Sequence, residues 1–317
     1  MRGLLLLGVL LIFSRCTRVN QPVDPVDPVI IEIDSCINSP INSSPAKNIL
    51  EKPVFSILAD SLGYGTKVYL LPDTVVNDAI FEISIDSGKN WIPAKCFSLS
   101  ESGEIWARRR NDKLTSQIVK KSYTIYYERV LIVGNSITGH GPAPELGWTG
   151  DWGMAASSAE KDYLHIISKK LKLLNPKVEI KINYAVDFER TYSQFDFNSL
   201  ETYADFKPDL VIMRIAENTD MDYVYNYETS YANYIAKLTS KTNAKVICTT
   251  SFWSSTAQVT PLIRNVASNK GYKLVDLTPL WSDNSYTAIK LFANSSVGAH
   301  PSDKGMQAIA NRISVYF

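Results

Sequence analysis

A serine and a histidine far apart in this chain stand in settings that suit nucleophilic catalysis. Ser136 closes the stretch Val130-Leu131-Ile132-Val133-Gly134-Asn135-Ser136-Ile137-Thr138, an apolar run that stops at a small polar turn. Such a run reads as a buried strand of a parallel sheet, and ligand sites in those sheets lie beyond the strand carboxyl ends. A hydroxyl delivered there becomes a nucleophile once a general base reaches it; the same residues also describe an ordinary strand-to-loop turn with a capping serine.

The candidate base is His300, in Ala299-His300-Pro301-Ser302-Asp303-Lys304-Gly305-Met306. Met306, Ile309, Ala310 and Ile313 recur at helical spacing, Ser302 or Asp303 can cap that helix, and Pro301 holds His300 extended just before it. The chain has three histidines, so this placement is selective. His140 is nearer to Ser136 in sequence, but a residue four along after a turn is directed elsewhere. His165 sits beside the apolar stripe of a predicted helix and reads as a surface or interfacial histidine.

Together these blocks resemble the SGNH (GDSL-like) hydrolases over about residues 128–317: Gly134-Asn135-Ser136-Ile137-Thr138 is similar to that family's first block, and His300-Pro301 with Gly305 to its last. The resemblance implies a Ser136–His300 ester hydrolase. It aligns Ala216-Glu217-Asn218-Thr219 with the third block, although the family's glycine and aspartate are missing, and Asn183-Tyr184-Ala185 with the second. The implied oxyanion hole is the Ser136 amide, the Ala185 amide and the Asn218 side chain. Three residues before the histidine, where the family has an aspartate to orient the imidazole, this chain has Val297. A backbone carbonyl is the expected substitute, with Glu217 and Asp303 as the other candidates.

The long loop 139–156 carries His140, Glu145, Trp148, Asp151 and Trp152. Tryptophans and carboxylates beside a nucleophile suit a sugar ring, so His140, Trp148, Asp151, Trp152 and Glu217 are expected at the substrate rim, with the stretch 219–227 opposite; a structural flap is the competing reading.

Strands predicted at 130–133, 178–184, 210–215, 245–250 and 273–277 alternate with helices at 158–174, 228–240, 260–269 and 303–315. That alternation predicts an α/β, flavodoxin-like three-layer domain with a parallel sheet over 128–317. In its first helix Leu164, Ile167, Leu171 and Leu174 form the buried stripe, and Ser157-Ser158-Ala159-Glu160 reads as a capping box. Before it, residues 49–127 show short alternating runs: Phe81, Ile83 and Ile85 on one face, a turn at Asp86-Ser87-Gly88, then Trp91 and Trp106. A small all-β sandwich domain is expected there. The stretches Ile83-Ser84-Ile85-Asp86-Ser87-Gly88 and Ile105-Trp106-Ala107-Arg108 resemble immunoglobulin-like modules found beside chitobiases, and equally suit a spacer without a ligand.

The leucine-rich run Gly3 to Phe13 is too short to span a bilayer and has the length of a secretory leader core. Residues 1–16 are therefore expected to be an export signal, with Cys16 as a lipoprotein anchor and Arg15 standing against it, where such signals prefer a small residue. Residues 17–48, with Pro-Val-Asp-Pro-Val-Asp-Pro-Val at Pro22 to Val29, read as a flexible tether. Membrane contact is expected only through Cys16, with the folded part in the periplasm or at the cell surface.

Thirty-three basic and 32 acidic residues leave a net charge of +1 mixed along the chain, which gives no basic field for nucleic acid. No phosphate loop, CxxC or paired-histidine spacing occurs, so neither metal nor cofactor is expected. Of Cys16, Cys36, Cys96 and Cys248, the last lies in an apolar strand as a buried thiol, and Cys36 with Cys96 is the available bridge. The expected function is an exported serine esterase acting on O-acetyl groups of carbohydrates. A catalytically weak glycan-binding protein of the same fold, or a lipase or thioesterase, are the alternatives.

Overall fold

A computed structural model describes residues 31–32, 49–72 and 78–317. The export signal expected over 1–16, Cys16 included, and most of the expected tether lie outside the described residues. The exception is β1 (Ile31–Glu32), which pairs antiparallel with β7 (Cys96–Leu99), Ile31 opposite Leu99 and Glu32 opposite Ser98.

The described residues up to 127 build two facing sheets. The first has the order β1, β7 (Cys96–Leu99), β4 (Lys67–Leu71), β2 (Val54–Phe55). The second has the order β3 (Ser61–Gly63), β9 (Val119–Tyr126), β8 (Gly103–Arg110), β5 (Ile80–Ser84), β6 (Ile92–Pro93). Alternate residues point inward, as the pleat dictates. Phe55 stacks edge-on against Phe97 of its own sheet and Tyr123 of the other, at 6.3 and 6.1 Å between centroids. Cys96 is disulfide-bonded; Cys36 lies outside the described residues. Cys248 is a free, buried thiol.

The remaining strands, β10 (Arg129–Gly134), β11 (Glu179–Tyr184), β12 (Leu210–Met213), β13 (Lys245–Thr249) and β14 (Lys273–Val275), form one parallel sheet in the order β11-β10-β12-β13-β14. This is the predicted three-layer α/β architecture with flavodoxin-like strand order. Its central strands β10, β12 and β13 are buried on both faces because helices cover both, whereas the edge strand β11 alternates apolar and polar residues. Val130 and Ile132 pack with α1 (Tyr163–Leu174) and α7 (Asp303–Ile313). Leu131 and Val133 pack with α2 (Val186–Thr191), α4 (Tyr227–Leu238) and α5 (Val259–Lys270). The first of these cores runs on through Tyr127 and Ile125 into the β-sheets. Two further short helices are α3 (Glu201–Ala204) and α6 (Ser295–Gly298).

Element ends differ from expectation where a side chain intervenes. Helix α1 begins at Tyr163 rather than at 158, because Asp162 caps it by accepting from the His165 amide at 2.7 Å; Ser158 makes no cap bond. Strand β12 stops at Met213, after which the chain bends away through Ala216 at φ 141°.

Candidate active site

Strand β10 pairs with β11 on one side and β12 on the other, so the strand order reverses beside it, and the crevice outside such a switch point is where ligands bind. Ser136 lies directly after β10. Asn135 anchors the turn: its carbonyl accepts from the amides of Thr138 (2.9 Å) and Gly139 (3.1 Å), and its Oδ1 from the Ile137 amide (3.2 Å). Gly134 is required there for space. A Cβ would meet Thr138 Oγ1 at 1.8 Å, and Thr138 cannot retreat because its hydroxyl is tied to Tyr163 at 2.5 Å.

His300 reaches the turn from the other end of the chain, with Nε2 at 2.7 Å from Ser136 Oγ. Its own amide bonds back to Val297 O at 3.0 Å, which leaves the Ser296 carbonyl for the imidazole Nδ1, at 2.8 Å. A carbonyl only accepts, so Nδ1 carries the proton and Nε2 is bare toward the serine hydroxyl. Ser302 caps the following helix from the Gly305 amide, and a side chain at Gly305 would strike Tyr286 O at 2.1 Å. Trp253 stands edge-on to the imidazole at 5.3 Å and donates its Nε1–H to Ala299 O at 2.9 Å. Burial pushes the His300 pKa down to about 4.

The expected carboxylate alternatives are occupied elsewhere. Asp303 accepts from the Ser157 amide and hydroxyl at 2.8 and 2.6 Å. Glu217 is not at a substrate rim, contrary to expectation: its side chain is fully buried, bonded to Arg214 Nη1 (2.7 Å), Asn135 Nδ2 (2.7 Å) and the Phe252 amide (2.7 Å). Burial works against its charge, but Arg214 prevails and holds the carboxyl below its usual range.

The oxyanion donors are placed in part. Asn218 lines the cleft, and its Nδ2 donates to Glu189 Oε2 at 2.8 Å. The Ala185 amide is spent on Gly134 O at 2.8 Å, continuing the β10–β11 ladder, so it is not available to an oxyanion as the resemblance implied.

The cleft holds about 850 Å³ and brings Ser136, His300 and Asn218 together with His140, Asp151, Tyr184 and Arg190. Trp148 and Trp152 do not line it. Trp148 is 3 % exposed, packs against Trp152 and Phe292, and donates to His140 O at 3.1 Å; Trp152 donates to Ala156 O at 2.8 Å. Trp148 is buried and Trp152 half-buried, and both indole N–H groups are held by carbonyls of the loop 139–156, so they tie that loop together. The stretch 219–227 also stays off the lining; the Asp220 carbonyl accepts from Tyr192 OH at 2.6 Å.

Sequence reasoning missed Glu189, Arg214, Tyr184, Arg190 and Trp253. For the first two the available signal was an ionisable residue inside or beside an apolar segment, Arg214 closing Leu210 to Met213 and Glu189 following Phe188. Among the described residues no group of histidine, cysteine, aspartate and glutamate is arranged to hold a metal ion, and no helix is long and apolar enough to cross a membrane.

No protein-family model matches the sequence and no curated protein matches it. Among solved structures the chain is similar to an α/β hydrolase enzyme from the metagenome of Lake Arreo, Spain (19 % identity over 60 % of this chain and 94 % of that one, TM-score 0.40). It is also similar to an acetyl xylan esterase from Geobacillus stearothermophilus (18 %, 60 % and 94 %, TM-score 0.39). A family two carbohydrate esterase from Cellvibrio japonicus is similar over a longer stretch (14 %, 75 % and 80 %, TM-score 0.40).

Proposed function

We propose that the chain is a serine ester hydrolase of SGNH type working through a Ser136–His300 dyad. The observation that carries this reading is the 2.7 Å contact of Ser136 Oγ with a His300 Nε2 whose tautomer is set by the Ser296 carbonyl. His300 takes the hydroxyl proton as Oγ attacks the ester carbonyl. The Ser136 amide and one Asn218 Nδ2–H stabilise the tetrahedral oxyanion. On collapse His300 gives that proton to the leaving alcohol, and the acyl group stays on Ser136. Water then attacks the acyl-enzyme with His300 again as base, releasing the acid and restoring the serine.

The substrate reading is a short acyl group, an acetyl, on a carbohydrate. Beside the apolar Leu146, Met154 and Val186, the cleft wall carries Asp151, His140, Arg190 and Tyr184, groups that hydrogen-bond or stack on a sugar, and these favour the carbohydrate ester over a plain alkyl chain. Export and lipidation at Cys16 belong to the same proposal, as the sequence of residues 1–16 supports them.

The test is hydrolysis of p-nitrophenyl acetate, butyrate and octanoate and of acetylated oligosaccharides, beside folded Ser136→Ala and His300→Ala. Activity lost in both variants and falling with chain length supports the esterase. Wild-type protein that leaves every ester intact, yet is retained by glycan, would make it a binding protein of this fold.

A further inference from the structure

Glu189 is a fully buried carboxyl whose side-chain contacts are all N–H donors. Its Oε1 accepts from the Ala216 amide at 2.6 Å, Asn135 Nδ2 at 3.1 Å and the Asn218 amide at 3.2 Å. Its Oε2 accepts from Asn218 Nδ2 at 2.8 Å and Asn135 Nδ2 at 3.3 Å. One side chain on α2 thus ties the turn after β10 to the turn after β12, the two segments that must stay in register for Ser136 and Asn218 to meet one substrate.

We infer that Glu189 is a positioning residue for ester hydrolysis: its carboxylate decides which end of the Asn218 amide faces the oxyanion. The inference rests on the esterase reading above. A primary amide has nearly the same shape when its oxygen and nitrogen are exchanged, so packing alone does not choose between them. An acceptor-only partner does. With Nδ2 held by Glu189, the second N–H of that nitrogen is left for the cleft that Asn218 lines. Turned over, Asn218 would set its carbonyl oxygen against the carboxylate and surrender the N–H that stabilises developing negative charge.

The ionised form is the one these donors satisfy, since an O–H on Glu189 would point among N–H groups with no acceptor. Opposing it are burial first and then the charge of Glu217, which raise the carboxyl above its usual range. The groups facing it are few. From the turn after β12 come Glu217 and, 2.7 Å beyond it, Arg214; from α4 come the buried phenols of Tyr227 and Tyr234; from the serine turn comes neutral Asn135. A proton taken up on acidification goes to Oε2, which accepts from fewer N–H groups than Oε1, and turns the atom facing Asn218 Nδ2 from an acceptor into a donor.

The experiment is steady-state kinetics on p-nitrophenyl acetate for wild type, Asn218→Ala, Glu189→Gln, Glu189→Asp and the double variant Glu189→Gln/Asn218→Ala. Asn218→Ala is expected to lower kcat about 100- to 1000-fold with KM little changed, the size of one lost oxyanion donor. Glu189→Gln is expected to do the same, because its amide N–H opposes that of Asn218, and the double variant to be no slower than Asn218→Ala alone. Glu189→Asp, which keeps the acceptor, is expected to recover part of kcat. Costs that add in the double variant, or Glu189→Gln faster than Glu189→Asp, would overturn the inference. Should Glu189→Gln not fold, pH profiles of the wild type and Asn218→Ala from about pH 4.5 to 7 decide it: a wild-type acid limb that Asn218→Ala lacks supports it, and superimposable limbs overturn it. Failure of the esterase reading shows separately, as wild-type protein no faster than Ser136→Ala.

Discussion

The carbonyl oxygen of Ser296 stands 2.8 Å from Nδ1 of His300, where an aspartate carboxylate three residues before the histidine would orient it in the family that this chain resembles. Val297, at that position, is fully buried in an apolar cluster with Trp148, Met154 and Ala288. Restoring the family residue by Val297→Asp is expected to bury an unpaired carboxyl and destabilise the protein by roughly 2–5 kcal/mol without raising kcat; denaturant unfolding and ester turnover check both parts.

Asp303 bonds to Ser157 and not to His300. Asp303→Asn is therefore expected to leave kcat within about threefold of wild type while loosening the end of the loop 139–156, which limited proteolysis would register. A complete loss of turnover in folded Asp303→Asn would show that a carboxylate is needed after all.

The His300 base works only when neutral. Burial lowers its pKa to about 4 from the ordinary 6.5, so it stays neutral as the pH falls through 6 and 5 and is lost as a base only near 4. In Asn218→Ala, where protonation of Glu189 has no donor to misplace, the acid limb of kcat/KM is expected at about pH 4. A limb near 6.5 in that variant would mean an exposed or differently paired histidine.

Ala216 occupies φ 141°, a conformation that favours glycine, and the resemblance places a glycine there. Ala216→Gly is expected to stabilise the protein by about 1 kcal/mol, the relieved strain exceeding the extra freedom of glycine in the unfolded chain; urea titration reads it directly.

Trp148 and Tyr184 should separate stability from binding. Trp148→Ala removes a buried ring and is expected to cost about 3–5 kcal/mol. Tyr184 is 55 % exposed on the cleft wall, so Tyr184→Ala is expected to raise KM for acetylated oligosaccharides about threefold or more while the melting temperature shifts by less than about 2 °C.

Much of the α/β fold was legible because its signals are local. The central strands β10 and β12 are continuous apolar runs, and α7 announces itself by Met306, Ile309, Ala310 and Ile313 at helical spacing. Helices α2, α3 and α6 were not foreseen, being too short for a periodicity to develop. The rim tryptophans were misassigned because an indole that suits a sugar is the same residue that suits a loop core, and only burial distinguishes the two.

The sequence by itself determined which strands would be covered on both faces, that a hydroxyl would follow one of them, and that a lone histidine would precede the last helix. These follow from period, composition and the restrictions of glycine and proline, which act within a few residues. Tertiary structure decided the rest: that the Ser296 carbonyl holds the imidazole, that the Ala185 amide is consumed by the β10–β11 ladder, and that Glu189 and Glu217 share one buried site with Asn135 and Arg214. A backbone group has no letter of its own in a sequence, and whether a carboxyl meets water, an arginine or four amides depends on which distant segments the sheet brings against it.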